Sequence, residues 1–91
     1  MNEQVSDMYL AATLLAYGAD LEDIDRSNTR RQLFTFSGEI KEIWIKAGNA
    51  VLRIESPTFD DINTKWAGNT LMFPPNFVDC VRKIKSVIHG A

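Results

Sequence analysis

Ten consecutive residues, Met8 to Tyr17, constrain this chain more than any other feature. They read Met-Tyr-Leu-Ala-Ala-Thr-Leu-Leu-Ala-Tyr, with no charge and several strong helix formers. As a helix the stretch is apolar nearly all round, so it must lie central to a core or be packed on two sides. Ser6 is a good N-cap for it, Asp7 in the first turn meets the helix dipole, and Gly18 is a natural stop. The run is far shorter than the roughly 20 residues of a membrane span, so no membrane association is expected. Before it, residues 1–5 read as a frayed, disordered tail without the basic region of a signal peptide, which predicts a cytoplasmic location.

The rest of the chain supplies what that helix needs to pack against. Ala19 to Arg26, with Leu21 and Ile24 as its only large apolar residues, reads as a short edge strand. Ser27-Asn28-Thr29 is turn chemistry. Arg31 to Ser37 follows as a strand, with Phe34 and Phe36 on one face by the two-residue period. Ile40 to Ala47 and Ala50 to Glu55 alternate around Gly48-Asn49, a hairpin signal that sets Ile43 and Ile45 on one face and Trp44 on the other. A competing reading makes 39–47 a helix, because Glu39, Ile40, Ile43, Trp44 and Ala47 also fit helical spacing.

Two helices close the chain. Ser56-Pro57 offers an N-cap and a first-turn proline, followed by the stripe Phe59, Ile62 and Trp66, with Gly68 as the stop. Leu71, Met72 and Phe73 form a short apolar link before Pro74-Pro75. The last helix repeats Phe77, Val81, Ile84 and Ile88 as a core face, widened by Val78 and Val87, and Gly90 ends it. The expected fold is therefore a single α+β domain over residues 6–91: an N-terminal helix, a small antiparallel sheet of three to four strands, and two C-terminal helices. A chain of 91 residues buries only about 60–65% of its unfolded surface, so its stability margin is thin and a homodimer would widen it.

Chemistry is sparse. The only histidine, His89, and the only cysteine, Cys80, stand about 13 Å apart along one helix and cannot pair as base and nucleophile. A single cysteine excludes an internal disulfide and the multi-cysteine zinc patterns. Cys80 reads as a buried small hydrophobe and His89 as a partner of the helix C-terminus. The acids from Asp20 to Asp25 fail the EF-hand pattern, since Asp25 and Arg31 stand where it needs Gly and Glu, so they read as a solvated acidic edge. Asp60 and Asp61 read as acids complementing a helix N-terminus. No Walker A or dinucleotide glycine pattern occurs. No catalytic residue, metal or cofactor is expected, and the chain reads as a non-enzyme.

Charge is uneven although the net value is only −2. Residues 1–25 hold six acids and no Lys or Arg, while residues 26–91 hold all ten Lys and Arg. The plainest account pairs the acids of the edge strand with Arg30 and Arg31 on the next. Two basic groups, Arg26, Arg30 and Arg31 at the turn and Arg82, Lys83 and Lys85 on the last helix, are the candidate contacts for nucleic acid. Trp44, pointing away from the Ile43 and Ile45 face, is the candidate anchor for a protein partner, or core if a helix covers that face.

The segments Asp7 to Gly18, Leu21 to Ile24 and Arg31 to Phe36 together resemble a family of small phage, prophage and bacterial proteins known only as a domain of unknown function. Its pattern is an "L-A-A-x-L-x-x-x-G" helix, a strand pair ending in "F-x-F", and a closing helix after proline. Trp66 to Asn69 and Pro75 to Ser86 fit its later parts, whereas residues 38–56 depart from it. The resemblance lends no catalytic residue and implies a mobile-element context. The combined expectation is a small binding protein acting on a host protein or ligand. The alternatives are a nucleic-acid accessory protein and a nucleotide sponge that would hold anions at the helix starts near Ser6 or Pro57.

Overall fold

The computed structural model describes residues 1–27 and 30–90, with the backbone alone for His89 and Gly90. The expected turn residues Asn28 and Thr29 and the side chain of His89 lie outside the described residues. Among those described, the chain forms β1 (Glu3–Val5), α1 (Met8–Ala16), β2 (Asp20–Asp25), β3 (Leu33–Ser37), β4 (Glu42–Ala47), β5 (Ala50–Glu55), α2 (Phe59–Ala67) and α3 (Phe77–Gly90). The class is α+β, with two small antiparallel sheets in place of the single sheet expected. One runs β1-β3-β2 and the other β4-β5.

α1 occupies the centre, as its composition demands. Leu10, Ala11, Ala12, Thr13 and Leu14 are all buried in sequence. Thr13 is tolerated there because its hydroxyl donates to the Tyr9 carbonyl at 2.7 Å. The helix starts one residue later than expected: Asp7 is the N-cap, accepting the N–H groups of Tyr9 and Leu10 at 2.8 and 3.1 Å. It ends in a Schellman motif, with Ala19 N–H reaching Leu14 O and Gly18 N–H reaching Leu15 O, both at 3.0 Å. Gly18 takes φ 104, which only glycine adopts cheaply.

The expected frayed tail is corrected: residues 3–5 pair with β3 in the register Glu3↔Phe36, Gln4↔Thr35 and Val5↔Phe34. Val5 is buried, and pairing on β3 supplies the order that three polar-flanked residues lack locally. β2 is the edge strand expected. Asp20, Asp23 and Asp25 stand opposite Ser37, Thr35 and Leu33, and Arg30 and Arg31 precede β3. A bulge between Leu21 and Asp23 breaks the ladder at Glu22.

The hairpin reading of 40–55 holds over the helical one. β4 and β5 pair without interruption from Glu42↔Glu55 to Ala47↔Ala50. Gly48 turns with φ 61 while Asn49 does not, the pattern of a type II′ turn. Ile43 and Ile45 are buried as expected. α2 begins later than Ser56-Pro57 suggested. Thr58 is its N-cap, in a capping box with Asp61, and Ser56 instead takes φ 48 at the end of β5. Gly68 is the C-cap with ordinary φ, and Asn69 adopts the left-handed conformation. α3 packs across α1 and buries Cys80 and Ile84, but Val78 and Val87 are exposed at 57% and 45% rather than widening the core face. No described helix is long and apolar enough to cross a membrane.

Candidate functional site

The link between α2 and α3 is more than a connector. Met72 N–H donates to Trp44 O, and Lys46 N–H donates to Thr70 O, both at 2.8 Å. Residues 70–72 thus run antiparallel along the free side of β4, with Ile45 bridged to Leu71. One further rung would join Trp44 N–H to Met72 O. The Tyr17 hydroxyl is inserted there, accepting from Trp44 N–H at 3.3 Å and donating to Met72 O. Burial raises the Tyr17 phenol above its ordinary range, opposed by its hydrogen bond to the Trp44 backbone. The C-terminal end of α1 is in this way bonded into the β4 ladder.

The three residues of this joint line a groove of about 510 Å³. Tyr17, Trp44, Val51, Met72, Phe73, Pro74 and Pro75 line it, together with Glu39, Lys41 and Glu42. Trp44 is 40% exposed and Phe73 54%, both large apolar faces left to solvent. Trp44 is held on a strand, and Phe73 stacks on Phe77 with ring centres 4.5 Å apart. Arg53 bridges Glu42 at 3.2 Å and also pairs with Glu55, which leaves Glu39 and Lys41 as the other ionic groups of the groove. A second depression of about 680 Å³, reaching Tyr9 and Trp66, shares Met72 and Phe73 with the first.

The six candidate cations lie elsewhere, and none lines this groove. Arg26 donates to Val87 O and Ile88 O at 3.3 and 2.9 Å, capping the last turn of α3. That contact joins the turn cluster to the helix bearing Arg82, Lys83 and Lys85. Arg31 reaches Ser6 Oγ at 3.3 Å, and Arg82 pairs with Asp79 on its own helix at 3.8 Å. Arg30, Lys83 and Lys85 are exposed. The helix starts considered for anions are occupied by the chain's own carboxylates: Asp7 caps α1, and Asp61 closes the start of α2 by accepting Thr58 N–H at 3.0 Å.

No protein-family model, curated protein or solved structure matches this chain.

Among the described residues, no three of His, Cys, Asp and Glu are grouped to hold a metal ion. Burial pushes the Cys80 thiol up, away from the reactive thiolate, with Lys83 opposing and Asp79 adding to the shift. The sequence pointed to Trp44 but not to Tyr17 or Phe73. Phe73 stood in the apolar link before Pro74-Pro75, and nothing in that link told it apart from Leu71, which is buried. Tyr17 carried no signal either, because its role depends on a strand 27 residues away.

Proposed function

We propose that the chain is a non-enzymatic binding module that takes an extended, proline-bearing segment of a protein partner into the groove between Trp44 and Phe73. The observation that carries this reading is the pair of exposed aromatic side chains, Trp44 and Phe73, that line one groove. The hydroxyl of Tyr17 and the backbone of Trp44 and Met72 are already committed to one another. The groove therefore offers flat apolar contact more than hydrogen bonds. A polyproline segment suits such a surface, because it is pre-ordered and keeps its own backbone solvated. With Glu42 engaged by Arg53, Glu39 and Lys41 remain to select the flanking charge. The resemblance to small phage proteins agrees with a chain that works by contact, and a mobile-element origin rests on that residue pattern alone. The cations at Arg26, Arg31 and Arg82 have structural partners, which favours the groove over nucleic acid as the working surface.

The test is a titration of the chain with a proline decamer bearing one arginine at an end, followed by tryptophan fluorescence and amide NMR shifts. Trp44→Ala and Phe73→Ala each weaken binding by about tenfold or more, the scale of an aromatic hot spot. Lys83→Ala leaves it unchanged. Absence of binding at about 1 mM peptide, or binding that Phe73→Ala does not alter, overturns the reading.

A further inference from the structure

The strand edges of this molecule are treated differently, and the difference points to a partner. Sheet edges invite pairing with other chains, and folded proteins blunt them with shortness, bulges, like charges or proline. β1 is only three residues long. β2 carries a bulge and the acids Asp20, Glu22, Asp23 and Asp25, so two copies of that edge repel. β5 has none of these devices. It is six residues, Ala50 to Glu55, paired to β4 without a register shift and containing no proline and no lysine. No described strand pairs along its outer side.

The direction of its free groups follows from the ladder. Ser56 N–H donates inward to Lys41 O at 2.8 Å, and backbone direction alternates along a strand. Ala50, Leu52 and Ile54 therefore turn their N–H and C=O toward β4, while Val51, Arg53 and Glu55 turn theirs outward. The side chains tell the same story. Leu52 and Ile54 lie on the face of Ile45 and Ile43, which is buried in β4. At the edge that apolar face runs out into solvent, and Leu52 is 49% exposed.

We infer that β5 pairs antiparallel with β5 of a second copy of this chain, centred on Leu52. In that register Leu52 meets its own copy, Ala50 faces the partner copy's Ile54, and Val51 faces its Arg53. The apolar face then continues across the joint, and the outward N–H and C=O groups of Val51 and Arg53 are satisfied in both directions. Centring on Arg53 would set two guanidinium groups opposite each other, which is unfavourable. Centring on Ile54 would bring Pro57, which has no N–H, opposite Val51. The edge carries one cation and one anion, Arg53 and Glu55, so copies meet without net repulsion. A two-fold axis normal to the sheet keeps faces matched, so both aromatic grooves, each with Val51 in its wall, open on one side. The dimer inference stands whether or not the groove binds a peptide.

The test is the mass of the full chain in solution by light scattering, with Leu52→Lys and Leu52→Cys as variants. The wild type runs at twice the 10.3 kDa chain mass. Leu52→Lys runs at the single mass with its far-ultraviolet spectrum unchanged. Leu52→Cys forms a covalent dimer under mild oxidation, since residues facing at a non-hydrogen-bonded site lie about 4.5 Å apart between Cα atoms, within disulfide reach. The wild type, with Cys80 buried, does not. A wild-type monomer at about 100 μM, a dimer that Leu52→Lys leaves intact, or failure of Leu52→Cys to crosslink overturns the inference.

Discussion

Replacing Tyr17 with phenylalanine removes one oxygen atom and tests the joint on which the groove is built. The hydroxyl links Trp44 N–H to Met72 O, beside the direct Met72 N–H to Trp44 O bond of the same residue pair. Two hydrogen bonds are lost, each worth about 0.5–1.5 kcal/mol net. The site is partly open, so water recovers some of this, and the expected loss is about 1–2 kcal/mol. For a domain of this size that is a fall in Tm of roughly 5–10 °C. The loss is local in origin, so hydrogen exchange should report it by residue. The Met72 and Lys46 amides, which bond across the same rungs, lose protection in Tyr17→Phe, while Ile54 on the other side of β4 keeps its protection. Alkaline pH gives a third reading. The phenol's folded-state value is raised, so its contribution is fully present below about pH 10 and disappears as pH climbs through the raised value. The wild type therefore loses stability above pH 10 faster than Tyr17→Phe, and the gap between them narrows. A Tm within about 1 °C of wild type together with an unchanged Met72 exchange rate would refute the reasoning.

Thr58→Ala removes the N-cap of α2 and costs about 1 kcal/mol, measured by urea denaturation. Its reciprocal partner Asp61 is held below the usual carboxylate range by the Thr58 N–H and hydroxyl, so its contribution is present above about pH 4 and fades as pH falls through the lowered value. An acid titration of Asp61→Asn against wild type should show that slope flattened. Gly38 sits at φ 85, where a side chain costs about 1–2 kcal/mol. Its added Cβ would also lie 2.7 Å from Asp20 Oδ2, a flexible carboxylate that can swing aside. Gly38→Ala is therefore destabilised by about that amount, and adding Asp20→Ala restores little of it.

Local chemistry made several elements readable in advance. Gly48-Asn49 between two alternating runs specified the hairpin, and the unbroken apolar run of α1 specified its central place. Features that depend on distant pairing were hidden. Glu3-Gln4-Val5 has no strand signal of its own and is ordered by Phe34 to Phe36, about 30 residues later. Alternation also does not say which strand pairs with which, so two sheets were read as one. The groove stayed illegible for the same reason. Trp44 was visible as an outward aromatic, but Met72 and Phe73 come from a segment read as a link, brought alongside β4 by backbone bonds that side-chain pattern does not encode. The arginines illustrate the converse: Arg26 looked like part of a basic patch, yet it closes the end of α3.

The central position of α1 has a consequence for synthesis. Its main cover, α3, begins about 60 residues further along the chain, and translation proceeds at about 5–20 residues per second. For several seconds a helix greasy on every side is made without the helix that covers most of it. Yield in the cell will then depend on how well holding factors occupy that helix during the wait, and slower elongation lengthens the exposure.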